Sequence, residues 1–134
     1  ITTAPSAAGQ AQYAQIIETA RELMGVPYVF GGNTTAGFDC SGFVSHLFNS
    51  TGTELARKSS LDYFLQNTTQ VQQPVPGDIV FFKNTYIATV SHMGIYLGDG
   101  EFIHASSRGI EVAKLDTKYW EERFIGYKRF NDIK

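Results

Sequence analysis

The sequence contains a single cysteine, no long apolar run and almost no excess of charge of either sign. One thiol excludes an intrachain disulfide, so the 134-residue chain must be stabilised by its packed interior. No apolar run approaches the roughly 20 residues that cross a bilayer, so we expect no membrane-spanning helix and no membrane partner. A net charge of −2 argues against a nucleic-acid-binding protein, which needs a concentrated basic face.

The length and composition predict one globular domain. A chain of this size buries about two-thirds of its unfolded surface and needs no metal to sustain a core. Residues 1–9 are small and uncharged, which we interpret as a linker remnant, and the folded domain is expected over 10–134. Because the chain begins at Ile1 rather than at Met, we interpret it as a processed or excised piece of a longer protein.

Helices are predicted first and antiparallel strands second, which is typical of an α+β domain. Apolar residues at helical spacing predict helices over about 10–24, 40–49 and 60–67, the last with Ser59 as its cap. After Pro76 the apolar residues recur at every second position instead of at helical spacing. This alternation predicts strands at 78–82, 93–97, 101–105, 110–113 and 125–130, with a short helix at 116–122 before the last.

Cys40 has two interpretations, a buried filler or a reactive thiol. It stands at the predicted start of the second helix, where free N–H groups and the helix dipole favour a thiolate and lower its pKa. The glycine-rich segment 31–37 precedes it, and glycines let a substrate backbone approach closely. Asp39 and Ser41 flank it with polar groups unlike those of a core position.

The histidines favour the reactive interpretation, because a thiol nucleophile needs a base and the base needs an orienting partner. His46 lies six residues beyond Cys40, on a different side of the same helix, and is expected at the surface. His92 and His104 lie on two strands joined by the turn at 98–100. We therefore expect them to be cross-strand neighbours, as a base and its partner would be.

At this point the sequence resembles the NlpC-type cell-wall cysteine peptidases, over about residues 11–130. One departure is Phe30, where many members carry tryptophan. The resemblance is carried by five blocks in the family's order: PYVFGG at 27–32, GFDCSGFV at 37–44, PGDIVFF at 76–82, SHMGIYLG at 91–98 and FIHAS at 102–106.

The resemblance implies a papain-like α+β domain in which N-terminal helices pack on a C-terminal antiparallel sheet of five to six strands. It also implies a Cys-His-His site that uses no cofactor and no metal. In that site Cys40 is the nucleophile, His92 the general base and acid, and His104 the group that orients His92. Tyr28 matches the tyrosine that stabilises the oxyanion together with the Cys40 N–H.

The resemblance further implies a substrate cleft and a reaction. The positions that match the cleft, or border the base, are Asp39, Ser41, Arg57, Ser59 and Ser91. The implied reaction is hydrolysis of the stem peptide of peptidoglycan, at the bond between γ-D-glutamate and meso-diaminopimelate or lysine. The similarity is greatest to the C-terminal catalytic domains of Gram-positive autolysins, which implies a secreted, wall-associated domain fused to wall-binding modules. A monomer is the default expectation.

Three alternatives stay open at this point. A related papain-like amidase or acyltransferase has the same catalytic residues, and product analysis separates it from an endopeptidase. A non-catalytic wall-binding domain is the second, although decayed sites usually lose one of the four residues Cys40, His92, His104 and Tyr28. A zinc site built from one thiolate and two imidazoles is the third, and it lacks a well-placed fourth ligand.

The remaining aromatic residues are interpreted as core, with one exception. Tyr86 and Ile87 lie in the loop before His92 and are candidates for a wall of the cleft. The residues expected in the core are Phe43, Phe48, Phe64, Phe81, Phe82, Phe102 and Trp120.

Overall fold

Four helices and eight strands follow one another along the chain, and the computed structural model describes all residues, 1–134. The helices are α1 (Ala7–Glu22), α2 (Cys40–Ser50), α3 (Ser60–Gln66) and α4 (Lys118–Glu121). The strands are β1 (Asn33–Thr34), β2 (Gly37–Phe38), β3 (Thr68–Gln70), β4 (Ile79–Lys83), β5 (Val90–Gly98), β6 (Glu101–Ser106), β7 (Gly109–Lys114) and β8 (Phe124–Phe130).

Six of the strands form one antiparallel sheet in the order β3-β8-β4-β5-β6-β7. The helices packed on this sheet confirm the α+β prediction, and the strand number lies at the upper end of the expected five to six. The β5–β6 turn has positive φ angles of 90°, 53° and 75° at Gly98, Asp99 and Gly100, which explains its glycines. This turn makes β5 and β6 direct neighbours.

The main core lies between the sheet and the first two helices. The predicted apolar stripe of α2 is completely buried there, at Phe43, Val44, Leu47 and Phe48. A smaller apolar cluster covers the opposite face of the sheet around Val80, Phe82 and Phe102, and Trp120 and Phe124 pack against it. The sheet therefore has two apolar faces, and the second becomes important for the site below.

A buried polar network fixes α1 to the sheet. The Arg129 guanidinium donates to both carboxylate oxygens of Asp78, at 2.8 and 3.0 Å, and the Tyr13 hydroxyl donates to Asp78 Oδ1 at 2.7 Å. Gly77 has a φ of 110°, and a Cβ at this position would overlap the Tyr13 ring. Because all three polar side chains are satisfied, the network fixes the packing angle without an uncompensated buried charge.

The structure differs from the sequence prediction mainly at the N-terminus and at β3. Helix α1 begins at Ala7 rather than about residue 10, because Ser6 caps it by accepting from the Gly9 N–H. The Ser6 N–H donates to the Lys134 carbonyl, so this segment contacts the domain. The linker interpretation of residues 1–9 stays a prediction. Strand β3 was missed because its three residues, 68–70, show no apolar alternation. None of the helices has the length and apolarity needed to traverse a bilayer.

Candidate active site

Cys40 is the first residue of α2, and the preceding loop is pressed against this helix end. Asp39 caps the helix, its Oδ1 accepting from the Gly42 N–H at 2.7 Å. A Cβ on Gly42 would overlap the carbonyl oxygen of Gly32, so glycine is required for the loop to approach this closely. The local sequence therefore presents the thiol beside the free N–H groups of a helix start.

Cys40 is buried at the edge of the main core, with 6% of the residue exposed. Its Sγ lies 3.2 Å from the hydroxyl oxygen of Ser60 and 3.7 Å from the carbonyl oxygen of Ser91, to which the thiol donates. Burial raises the pKa of the Cys40 thiol, while the hydrogen bond with Ser60 acts in the opposite direction. The pKa of Cys40 is therefore raised, whereas the position at a helix start predicted that it would be lowered. Desolvation of the thiol is the larger effect.

His92 and His104 meet across the β5–β6 pair. The distance from His92 Nε2 to His104 Nδ1 is 2.7 Å, and the exposed fractions of the two residues are 8% and 1%. Burial, and then the neighbouring His104, lower the pKa of His92 well below 6.5. Burial, and then Arg108, lower the pKa of His104 to about 4. Both imidazoles are therefore neutral at neutral pH.

The hydrogen-bond pattern fixes where protons must lie if His92 is to act as a base. Nδ1 of His92 has no hydrogen-bond partner, so this atom is free to accept a proton. His92 then carries its own proton on Nε2 and donates it to Nδ1 of His104. His104 in turn carries its proton on Nε2, which is buried and has no partner. This tautomer assignment follows from the bonding pattern.

Cys40 and His92 are adjacent but do not share a hydrogen bond. The thiol donates to the carbonyl of Ser91, the residue that directly precedes His92 on β5. Such pairs are often loose without substrate and tighten when it binds. His46 is half-buried rather than at the surface, with its ring centroid 5.0 Å from that of Phe38. It takes no part in the hydrogen bonds of the site, as its helical position predicted.

An ionic cluster lies next to Cys40 on the same helix end. Arg57 donates from Nη2 to both oxygens of Asp39, at 2.6 and 2.7 Å, and from Nη1 to the Ser41 hydroxyl at 2.5 Å. The Gly31 N–H donates to Asp39 Oδ2 at 3.0 Å. Asp39 thus orients Arg57, and the guanidinium is held beside the start of α2.

Two cavities open on either side of Tyr28 and Tyr86, which line both. The cysteine-side cavity has a volume of about 510 Å³ and is lined by Cys40, Asp39, Ser41, Arg57 and Ser59, among others. The histidine-side cavity has a volume of about 710 Å³ and is lined by His92, His104, Trp120, Glu111 and Lys114, among others. Of the two residues predicted as a cleft wall, Tyr86 lines both cavities and Ile87 lines neither.

The sequence profile of the NlpC/P60 family matches residues 25–129 of the chain, a span that contains both cavities. The chain belongs to the NlpC/P60 family.

Three comparisons place this NlpC/P60 domain among known proteins. It is 43% identical over 116 residues to LytE of Bacillus subtilis (strain 168), a probable peptidoglycan endopeptidase, covering 87% of the chain and 34% of that protein. It is 40% identical over 121 residues to the gamma-DL-glutamyl hydrolase of the same organism, covering 88% and 29%. A lipoprotein-like NLP/P60 structure from Staphylococcus aureus matches with a TM-score of 0.83 and 32% identity, covering 96% and 44%. The chain thus spans about a third of the length of these curated relatives.

Trp120 contributes to the site of this NlpC/P60 domain, although the sequence analysis interpreted it only as a core residue. Its ring stacks on His92, with centroids 5.3 Å apart and an interplanar angle of 23°. It also meets His104 edge-on at 5.1 Å. A single aromatic side chain therefore covers the hydrogen bond between the two histidines. No spacing signal links residue 120 to the histidines, because the contact depends on how α4 returns to the sheet.

The structure gives the predicted residues Ser59 and Ser91 hydrogen-bonding roles within the fold. Ser59 caps α3 by accepting from the Asp62 N–H at 3.2 Å, and it also lines the cysteine-side cavity. The Ser91 hydroxyl is buried and bonds to Thr85 at 2.5 Å, so it fixes the loop that carries Tyr86. Ser91 lines neither of the two cavities.

Sequence reasoning missed Ser60, which is buried at the first position of α3 and contacts the thiol. The Ser59–Ser60 pair could have indicated this role. The cap of α3 needs only one serine, so the second is free to make another contact. No group of three or more histidine, cysteine, aspartate or glutamate residues is placed to hold a metal ion.

Acid should destabilise this domain through His104. Its pKa is about 4 in the fold against 6.5 for an ordinary histidine, so the unfolded chain binds the proton more tightly. The contribution of His104 to the free energy of unfolding is complete above pH 6.5 and is lost as pH falls to about 4, by about 3 kcal/mol.

Urea denaturation at pH 7, 5.5 and 4 checks this expectation. Carboxylates add their own acid dependence, so the matched control is His104→Asn, which keeps a polar side chain but does not titrate. The difference in unfolding free energy between the parent and His104→Asn should shrink or reverse toward pH 4. A constant difference across this range would contradict the assignment of a buried neutral His104.

Proposed function

We propose that the chain is a cysteine endopeptidase that hydrolyses the stem peptide of peptidoglycan, at the bond between γ-D-glutamate and meso-diaminopimelate or lysine. The observation that carries the proposal is the placement of Cys40 at a helix start, against the residue preceding a His92–His104 pair. The names of the relatives, a probable peptidoglycan endopeptidase and a gamma-DL-glutamyl hydrolase, support both the polymer and the glutamyl bond.

The resting site holds a neutral thiol beside a neutral imidazole. Burial accounts for both neutral forms, because it raises the pKa of Cys40 and lowers that of His92. When substrate fills the cleft, Nδ1 of His92 takes the thiol proton and His104 stabilises the resulting imidazolium by accepting from Nε2–H. Proton transfer and attack are thereby coupled to substrate binding.

The chemical steps follow from this proton transfer. The Cys40 sulfur attacks the γ-carbonyl carbon, and the negative charge moves to the carbonyl oxygen. Two donors are available for that oxygen, the backbone N–H of Cys40 at the helix start and the Tyr28 hydroxyl. Burial, and then Cys40 itself, raise the pKa of Tyr28 to about 12, so this hydroxyl keeps its proton at neutral pH.

The intermediate then collapses with cleavage of the C–N bond. The His92 imidazolium gives its proton to the departing amine, which leaves as the new N-terminus of the second fragment. A water molecule then attacks the thioester, with His92 again accepting a proton, and the glutamate γ-carboxylate is released as the thiol is restored. Bonds and protons balance without a cofactor.

The acyl half of the substrate fits the cysteine-side cavity. Arg57 and the hydroxyls of Ser41 and Ser59 line it, and Asp39 orients the guanidinium. A γ-linked glutamate carries a free α-carboxylate, which is the kind of anion that an arginine beside hydroxyl donors binds. This supports a γ-glutamyl residue as the acyl donor.

A pair of defined substrates tests the proposed bond. The first is L-alanyl-γ-D-glutamyl-meso-diaminopimelate, and the second is N-acetylmuramoyl-L-alanyl-D-isoglutamine, which an amidase would cleave at its muramoyl–alanine bond. Liquid chromatography should show free diaminopimelate from the first and no alanyl product from the second. Cleavage of the second alone would establish the related amidase and overturn the endopeptidase proposal.

We further propose that the full-length protein acts outside the cell, on the wall. In it the present chain is a monomeric catalytic domain joined to wall-binding modules. The two curated relatives named above are about three times as long as the matched region, which supports such modules. The proposed substrate, peptidoglycan, is a polymer that lies outside the cytoplasm.

Trp120 should keep the pKa of His92 low by excluding water from the imidazole face. Trp120→Phe retains a ring against His92, whereas Trp120→Ala exposes the face. We expect the alanine variant to shift the acid limb of kcat/KM upward toward pH 6.5 and to lose about tenfold in activity at its optimum. The phenylalanine variant should stay near the parent profile. An unmoved acid limb in a folded Trp120→Ala protein would show that Trp120 is only structural.

A further inference from the structure

The Ser60 hydroxyl has one hydrogen-bond partner, and that partner is the proposed nucleophile. Its oxygen lies 3.2 Å from Cys40 Sγ, and the residue is 4% exposed. A serine inside a helix commonly bonds back to a carbonyl of the preceding turn, but Ser60 is the first residue of α3 and has no helical turn before it. The buried hydroxyl is therefore satisfied by the sulfur.

The rest of α3 keeps this hydroxyl beside the thiol. Ser59 caps the helix by accepting from the Asp62 N–H at 3.2 Å. One turn after Ser60, the Tyr63 ring is completely buried and its hydroxyl donates to the Ala56 carbonyl at 2.5 Å. Because the backbone is held on both sides of Ser60, only the hydroxyl hydrogen has to rotate for the bond to the sulfur to change direction.

The second contact of the sulfur indicates which group donates in the resting site. A carbonyl oxygen only accepts, so the thiol proton makes the contact with the Ser91 carbonyl, at 3.7 Å. The thiol has no second proton, so Ser60 is the donor in its bond with Cys40. A neutral thiol is a weak acceptor, and this bond is correspondingly weak before the reaction begins.

Loss of the thiol proton changes the two contacts in opposite ways. When His92 Nδ1 takes the proton, the electron pair stays on the sulfur and the Ser91 carbonyl loses its donor. The bond from Ser60 becomes charge-assisted, and such bonds are about twice as strong as neutral ones. Ser60 therefore stabilises the thiolate more than the thiol, and a contact that strengthens along the reaction is one that accelerates it.

Ser60 is the only side chain that hydrogen-bonds to the sulfur. Among the groups that lower the pKa of Cys40, it has the largest effect, ahead of the backbone N–H groups of Ser41 and Met93, whereas burial and Asp39 raise this pKa. None of the neighbouring titratable and charged side chains replaces this donor. They are Asp39 with its partner Arg57, Tyr28, Tyr86 and His92.

We propose that Ser60 is a further catalytic residue of this site, whose hydroxyl donates a hydrogen bond to the Cys40 sulfur as the thiol loses its proton. The same hydroxyl stabilises the sulfur a second time, when water attacks the thioester and the C–S bond breaks with its electron pair on Cys40. Ser60 keeps its own proton throughout. The inference rests on the proposed function and adds the donor that a buried thiol needs in order to ionise.

Alkylation of Cys40 by iodoacetamide tests this role without a peptide substrate. The thiolate is the reactive form and Cys40 is the single cysteine, so the midpoint of the pH–rate profile, followed by mass spectrometry, gives the pKa of this thiol. Ser60→Ala should move the midpoint upward by about one pH unit and lower kcat/KM for the diaminopimelate peptide about tenfold. Ser60→Thr keeps the hydroxyl and should recover most of both losses.

Ser45→Ala is the matched control, because Ser45 is also 4% exposed but its hydroxyl donates to the Gly42 carbonyl rather than to the sulfur. It should leave the midpoint unchanged. An unmoved or lowered midpoint in a folded Ser60→Ala protein would overturn the proposal, because a hydroxyl that only accepts from the thiol stabilises the neutral form. If the midpoint rises but the parent protein cleaves no γ-D-glutamyl peptide, the role of Ser60 in ionisation stands and the endopeptidase proposal fails.

Discussion

Replacing Cys40 with alanine should reduce kcat/KM for γ-D-glutamyl substrates by at least about 10⁴-fold. Without the sulfur no thioester forms, and the remaining donors only polarise the carbonyl. The substitution removes only the sulfur, whose hydrogen bonds are to Ser60 and the Ser91 carbonyl, so the fold should persist. Steady-state kinetics with the diaminopimelate peptide, together with circular dichroism to confirm folding, measure the effect.

Cys40→Ser is the informative companion to the alanine variant. A hydroxyl keeps a polar contact with Ser60 but is a far weaker nucleophile in a site that lacks a strong base. We therefore expect it to be nearly as inactive as Cys40→Ala. Substantial hydrolysis by either folded variant would show that another group attacks the substrate.

Replacing His104 should have the second largest effect. The His104→Ala variant loses the acceptor for His92 Nε2–H, so the imidazole is free to turn and to adopt the wrong tautomer. We expect a loss of about 10²- to 10³-fold in kcat, with little change in KM, since His104 is buried behind His92.

His104→Asn supplies the matched comparison. The amide oxygen of asparagine can accept from His92 Nε2–H, so this variant should recover much of the loss, to within about tenfold of the parent. If the alanine and asparagine variants were equally impaired, the hydrogen bond to His92 would not be the reason for the presence of His104.

Much of the fold followed from local patterns in the sequence. The helical spacing of Phe43, Val44, Leu47 and Phe48 predicted α2. The residues at 98–100, which adopt positive φ angles, predicted the tight turn that pairs β5 with β6. That hairpin places His92 and His104 on adjacent strands, and their side chains meet diagonally, because Gly94 rather than His92 lies opposite His104. The site could be predicted in outline for the same reason.

Other features depend on long-range packing and had no local signal. Trp120 covers the histidines only because α4 folds back over the second face of the sheet. The pKa of Cys40 is raised because the core buries the thiol. The sequence showed only that Cys40 begins a helix, whose dipole acts in the opposite direction. The short strand 68–70 is stabilised by pairing with β8 rather than by its own residues.

The central claim is that Cys40 breaks the γ-D-glutamyl bond of the peptidoglycan stem. The most direct test is digestion of purified peptidoglycan with the parent and Cys40→Ala proteins, followed by mass spectrometry of the fragments. The account predicts fragments that end in γ-D-glutamate, with a new amine on the diamino acid, from the parent alone. Intact stems released from the glycan by the parent, or identical fragments from Cys40→Ala, would contradict it.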